Sequence, residues 1–231
     1  MKERMMKKAF ALIALFSIFI VTGCAMKSQN IPQTGEKTMS TSKILFNEVS
    51  KKQLDVSKMK DWVIVVPADA IPVEKYAAEE FQKLFKESTG AMLPIKNEAK
   101  SDFVHIGQIK GVSDDLDDEE LLVVVKKDSV TITGGRPRGV LYGVYQFFED
   151  GFGVRFLTFD HTHVPKADDV EIPIGEFRYN PPFSFRWSYY RENSEKPEFA
   201  ARLHVNTVTT DEKLGGKTPQ NLIGHSFDAL L

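Results

Sequence analysis

The chain has 231 residues, 42% of them hydrophobic and 11% aromatic, with 30 Lys and Arg against 32 Asp and Glu for a net charge of −2. This supplies the core of one good-sized domain, or one domain and part of another, and leaves no basic field to recruit nucleic acid. The single cysteine, Cys24, rules out an internal disulfide.

Lys2, Arg4, Lys7 and Lys8 precede an uncharged apolar run, Ala9–Val21, which closes in Val21-Thr22-Gly23-Cys24. A basic stretch followed by a short apolar one is the pattern of a secretion signal, and the run falls short of the about 20 residues a membrane span takes. Its end resembles a lipobox, in which small residues admit the signal peptidase and the Cys24 thiol takes the lipid. The expectation is an exported chain anchored to a bacterial membrane by lipid on Cys24, with 1–24 as signal peptide and lipobox. Residues 25–42 are polar and without apolar period, and read as a tether.

The next stretch, 43–177, carries the regular elements. Trp62–Val66 is a short apolar run stopped by Pro67. Pro72 opens a helix whose apolar stripe is Val73, Tyr76, Ala77, Phe81, Leu84 and Phe85, and Gly90 stops it. Phe103–Ile106 reads as a strand, and Ser113–Glu120 as a solvated acidic loop lacking the spacing of a calcium loop. Leu121–Val125 is continuous enough for a strand covered on both faces, turning at Lys126–Ser129 into Val130–Thr133 as an antiparallel hairpin. A second helix follows Gly134–Gly139, with Gly139 and Gly143 on one face to let it approach the sheet. Gly151–Leu157 turns into a further strand. The expected fold is an α/β (α+β) sandwich, a mixed sheet with packed helices.

From Arg178 the texture changes. Pro181-Pro182 leads into an aromatic, strand-like Phe183–Tyr190, then a helical Phe199–Leu203 and a strand-like Val205–Thr209. This β-α-β rhythm occupies 178–231, a fifth or so of the roughly 250 residues of a (β/α)8 barrel.

Three stretches together resemble a known arrangement. They are Trp62–Ile95 with its Pro-started helix and Ser88-Thr89-Gly90 turn; Thr133-Gly134-Gly135 with Arg138–Tyr145 and Gly153-Val154-Arg155-Phe156-Leu157; and Pro182–Arg186 with Gly224-His225-Ser226-Phe227. They resemble the N-terminal domain shared by family 67 α-glucuronidases and family 20 β-hexosaminidases, and exported bacterial proteins in which that domain precedes an uncharacterised barrel. The resemblance covers about residues 60–180 well and about 180–231 thinly. It implies a non-catalytic accessory α/β domain followed by the truncated start of a barrel, in a glycoside hydrolase whose partner is an oligosaccharide or polysaccharide. None of the family's catalytic acids has a matching position, so no catalytic residue is expected here. Arg186 and His225 fall in the family-like motifs, which implies contact with sugar in a complete protein.

The remaining candidates read mostly as structural. Glu79-Glu80 and Glu149-Asp150 are expected on solvated helix surface. Glu192 and Glu195 follow the aromatic run, where barrel chemistry is usually placed. Asp160, His161 and His163 hint at a metal pair without a third ligand, so no metal is expected, and no cofactor. Gly134–Gly139 lacks the ending of a phosphate loop and is a tight turn. Phe183, Phe185, Trp187, Tyr189 and Tyr190 suit either core or sugar stacking. The rival readings are a carbohydrate-binding or interaction lipoprotein without catalytic activity, and an incomplete gene product.

Overall fold

A computed structural model of the chain describes residues 45–46 and 51–219, all in the second of its two units, Ser42–Leu231. Cys24, the whole 25–42 tether and His225 lie outside the described residues.

The apolar runs become a six-stranded mixed sheet. Its members are β2 (Val63–Val65), β3 (Ile95–Lys96), β4 (Phe103–Ile106), β5 (Leu121–Val125), β6 (Ser129–Gly134) and β10 (Gly175–Tyr179), in the order β10-β5-β6-β4-β2-β3. β3, β2, β4 and β6 run parallel, while β5 lies antiparallel to both β6 and β10. Ile64 sits opposite Val104, Val104 opposite Val130, and Ile132 opposite Val123. That register puts one row of fully buried branched side chains on a single face. The other face is less covered, with Phe103, His105, Thr131 and Val124 only half-buried. β5 is therefore enclosed more fully on one face than on the other, whereas its unbroken apolar run predicts both faces covered. Two small antiparallel pairs complete the strands, β1 (Gln53–Asp55) with β9 (Glu171–Pro173), and β7 (Arg155–Thr158) with β8 (His161–His163).

Two helices fill the layer above the buried row, α1 (Pro72–Thr89) and α2 (Gly139–Phe152). Glu74 closes the start of α1 by accepting the Ile71 amide at 3.1 Å. Gly90 ends it at φ 81°, a left-handed conformation that costs a glycine little. α2 is apolar nearly all round, and its buried side chains include Tyr142, Tyr145, Phe147 and Phe148. The rings of Phe81 and Phe148 meet at 4.9 Å, and those of Phe148 and Phe152 at 4.7 Å. The expected close approach of α2 is real: a Cβ on Gly143 would lie 2.9 Å from Ile132 Cγ2.

The change of texture at residue 178 falls inside β10, whose pairing with β5 runs on to Tyr179. Past it, residues 183–190 and 205–209 form no strands. The regular structure there is α3 (Arg191–Glu195), α4 (Pro197–Arg202) and a short 3-10 turn, Glu212–Leu214. Side chains take the backbone groups that a ladder would otherwise pair. The Asn206 amide accepts from Arg186 N at 2.9 Å and donates to Ser184 O at 2.9 Å.

Candidate functional site

Glu119 is the next-to-last residue of the acidic stretch before β5, held at φ 63° and only 4% exposed. A carboxylate taken out of water needs partners, and Glu119 has three. Arg138, at the entry of α2, donates through Nε; Arg186 donates through Nη2; and Asn206 Nδ2 reaches both oxygens at 3.2 and 3.1 Å. The expectation of a solvated loop fails here. The acidic composition of Ser113–Glu120 concealed two buried carboxylates, since Glu120 is also 4% exposed and is paired with Arg178. The hydrogen bond from Arg178 holds the Glu120 carboxyl below its ordinary range.

Each arginine at Glu119 does more than neutralise it. Arg138 Nη1 donates to the carbonyls of Gly215 and Gly216 at 2.8 and 2.7 Å, and Nη2 donates to Thr218 Oγ1. Arg186 donates to His204 O at 2.8 Å and Phe183 O at 2.6 Å, and lies 5.5 Å from the Tyr142 ring. His204 stacks on Tyr142 at 4.5 Å, and its Nε2 is buried without a partner among the described residues. Burial, helped by the Arg186 charge, pushes the His204 pKa down to about 3. Burial likewise raises Tyr142 beyond its ordinary range. Arg186, expected to meet sugar, thus has its guanidinium occupied by Glu119 and two carbonyls.

A second junction joins α1, α2 and α4. Glu80, 4% exposed, accepts from Tyr145 Oη at 3.1 Å and from Arg202 Nη2 at 2.9 Å. Asp150, 7% exposed, accepts Leu45 N at 2.6 Å and Gln146 Nε2 at 3.1 Å. The expectation of solvated helix pairs therefore fails for one member of each pair. The helical stripe that buries Ala77 and Phe81 also turns Glu80 inward. Glu149 is half-buried, and burial lifts its pKa to about 7, with Asp150 adding to the rise against Arg155.

The other candidates lie apart. Glu195 pairs with Arg191 on the exposed face of α3 at 2.7 Å. His161 and His163 are exposed on β8, and no group of three or more potential metal ligands comes together among the described residues. Phe183, Trp187, Tyr189 and Tyr190 are exposed rather than core, Tyr189 and Tyr190 to 80% and 76%. Glu192 and Asp160 both line an open hollow of about 350 Å³ between β7 and the α3–α4 region. Sequence reasoning passed over Glu119, Arg138, Arg202 and Asn206. The signal was faint: Arg138 lies in the Gly-rich turn that resembles the family, and its charge faces the loop before β5.

No family model matches the sequence, and no curated protein matches it. Solved structures do. A GH20 β-N-acetylhexosaminidase from Streptomyces coelicolor A3(2) is similar over 69% of this chain and 31% of its own, at 14% identity and a TM-score of 0.48. A GH20 exo-β-N-acetylglucosaminidase from Vibrio harveyi in complex with N-acetylglucosamine is similar over 69% and 23%, at 14% identity and a TM-score of 0.46. A Streptomyces plicatus β-hexosaminidase in complex with product is similar over 69% and 31%, at 15% identity and a TM-score of 0.47. The chain spans about a third or less of the length of these structures.

Proposed function

We propose that this chain is the non-catalytic, accessory α/β portion of a glycoside hydrolase, exported and held at a bacterial membrane by lipid on Cys24. The observation that carries the reading is the employment of its buried acids. Glu74, Glu80, Glu119, Glu120 and Asp150 are each engaged by arginine, tyrosine, amide or backbone donors. Glycoside hydrolysis needs an acid and a second carboxylate, free and facing one another across a preorganised cleft. Asp160 and Glu192, which line one hollow, are both exposed. Water there screens them. Two of the buried acids, Glu80 and Glu119, instead fasten residues 180–219 onto the sheet and helices through Arg202, Arg186 and Asn206, as an accessory layer does when it supports the segment leading into another domain. The resemblance of Thr133–Leu157 to the accessory domains of families 67 and 20 gives that domain its class.

The test is turnover. The purified chain should release no 4-nitrophenol from N-acetylglucosaminide or 4-O-methylglucuronide aryl substrates above buffer. Turnover by this chain that vanishes in Glu192→Gln would overturn the reading. Anchoring is checked separately with a palmitate analogue, which should label the wild type and not Cys24→Ala.

A further inference from the structure

The hollow that takes Asp160 and Glu192 has a composition the fastening role does not use. Its floor is apolar, from Leu157, Phe199 and Leu203, and its volume of about 350 Å³ lies within the about 300–1,000 Å³ usual for small-molecule sites. Asn193 lines it from α3 at 4% exposure, and its side-chain amide has no hydrogen-bond partner among the described residues. His204 Nε2 is the buried side-chain atom without a partner among the described residues, so the Asn193 amide reaches the open space of the hollow and is available to a ligand there. Beside it stands Tyr190, whose ring is 76% exposed and has neither an aromatic nor a cationic neighbour among the described residues. The other ring at the rim, Phe159, has Lys196 Nζ 5.1 Å from its centroid.

We infer that this hollow is a saccharide-binding subsite that takes one neutral pyranose unit of an oligosaccharide or polysaccharide. The C–H face of a pyranose is apolar and flat enough to lie on the Tyr190 ring. Its equatorial hydroxyls point outward in the ring plane, where the Asp160 and Glu192 carboxylates accept and the Asn193 amide both donates and accepts. Asp160 already accepts from Thr158 Oγ1 at 2.7 Å through Oδ1, which leaves Oδ2 for a ligand. An apolar segment or acyl chain would strand the Asn193 amide and both carboxylates against hydrocarbon. An anionic sugar would meet two carboxylates, and the described residues that line the hollow include no cation, so neutral units are favoured over uronates. The inference rests on the hollow itself and goes beyond the accessory reading, since a binding lipoprotein would hold sugar in the same way.

The test titrates the full chain, extracted in a detergent that carries no sugar, with cellobiose, xylobiose and N,N′-diacetylchitobiose by calorimetry, with D-glucuronic acid as the anionic control. At least one neutral disaccharide should bind saturably and more tightly than glucuronic acid. Tyr190→Ala should weaken that binding by about tenfold, as truncation of an aromatic anchor does, while Tyr190→Phe keeps it. Tyr190 is a surface side chain, so the fold survives its loss, and matched melting curves verify this. Saturable binding by none of the three, unchanged binding in Tyr190→Ala, or tighter binding of glucuronic acid would overturn the inference. Release of monosaccharide during the titration would instead contradict the accessory reading and leave the binding site standing.

Discussion

The sheet-and-helix layer, up to Tyr179, and the segment 180–219 are held by different physics. The layer coheres through apolar rows: Ile64, Val104, Val130 and Ile132 on the sheet against the phenylalanine cluster of α1 and α2. Such cohesion is spread over many contacts, and no one contact is indispensable. The segment has two short helices, a 3-10 turn and no ladder. It is fastened at a few points by Arg186, Asn206 and Arg202 to the carboxylates of Glu119 and Glu80. Cohesion of that kind is concentrated, and one substitution can release it.

The largest effect should come from the concentrated region. Glu119→Ala strips Arg138 and Arg186 of their shared anion while both remain drawn into the protein. Breaking a buried pair in this way costs about 3–5 kcal/mol. Urea unfolding should show that loss with the far-ultraviolet signal of the layer kept at low denaturant. In the layer, Gly143→Leu should cost about 1–3 kcal/mol or more, because the added side chain is driven into Ile132. Its effect should be one cooperative shift of the whole transition. If the two variants lose stability with the same profile, the two regions are not differently held.

Acid should separate the regions in opposite directions. His204 has a folded pKa of about 3, below its ordinary 6.5, so its neutral form contributes stability above pH 6.5 that is lost as pH falls toward 3. Glu149 has a folded pKa of about 7, above its ordinary 4.5, so its protonated form contributes stability below pH 4.5 that is lost as pH rises through 7. Between pH 6.5 and 4.5, acidification therefore loosens the segment at His204 and tightens the layer at Glu149. Limited proteolysis should cut within 180–219 faster at pH 5 than at pH 7, relative to cuts within 121–152. His204→Gln should flatten that dependence, and Glu149→Gln should leave it in place.

The layer was legible because its elements repeat with the periods of burial. The stripe from Val73 to Phe85, the run Leu121–Val125 and the alternation of Val130 and Ile132 announce one helix and one hairpin, and the structure has them at those residues. The segment was legible only in part. Phe199–Leu203 carries a helical pattern and α4 forms there, but Phe183–Tyr190 and Val205–Thr209 have strand composition and no strand partner. Composition records what a residue prefers, whereas pairing depends on a neighbour far along the chain. The same reason hid the Glu119 junction. Its members, Glu119, Arg138, Arg186 and Asn206, are distant in sequence and each is ordinary alone, so only the fold gathers them.

The central claim is that Glu119 fastens the segment onto the layer, and amide hydrogen exchange on wild type and Glu119→Gln tests it most directly. Gln keeps the shape of the side chain and removes the charge that the two arginines share. The account predicts faster exchange at Asn206, Val205 and Thr218, whose amides donate to backbone carbonyls within the segment. β4, β5 and β6 should keep their protection. Uniform loss of protection across segment and sheet, or none in the segment, would contradict it.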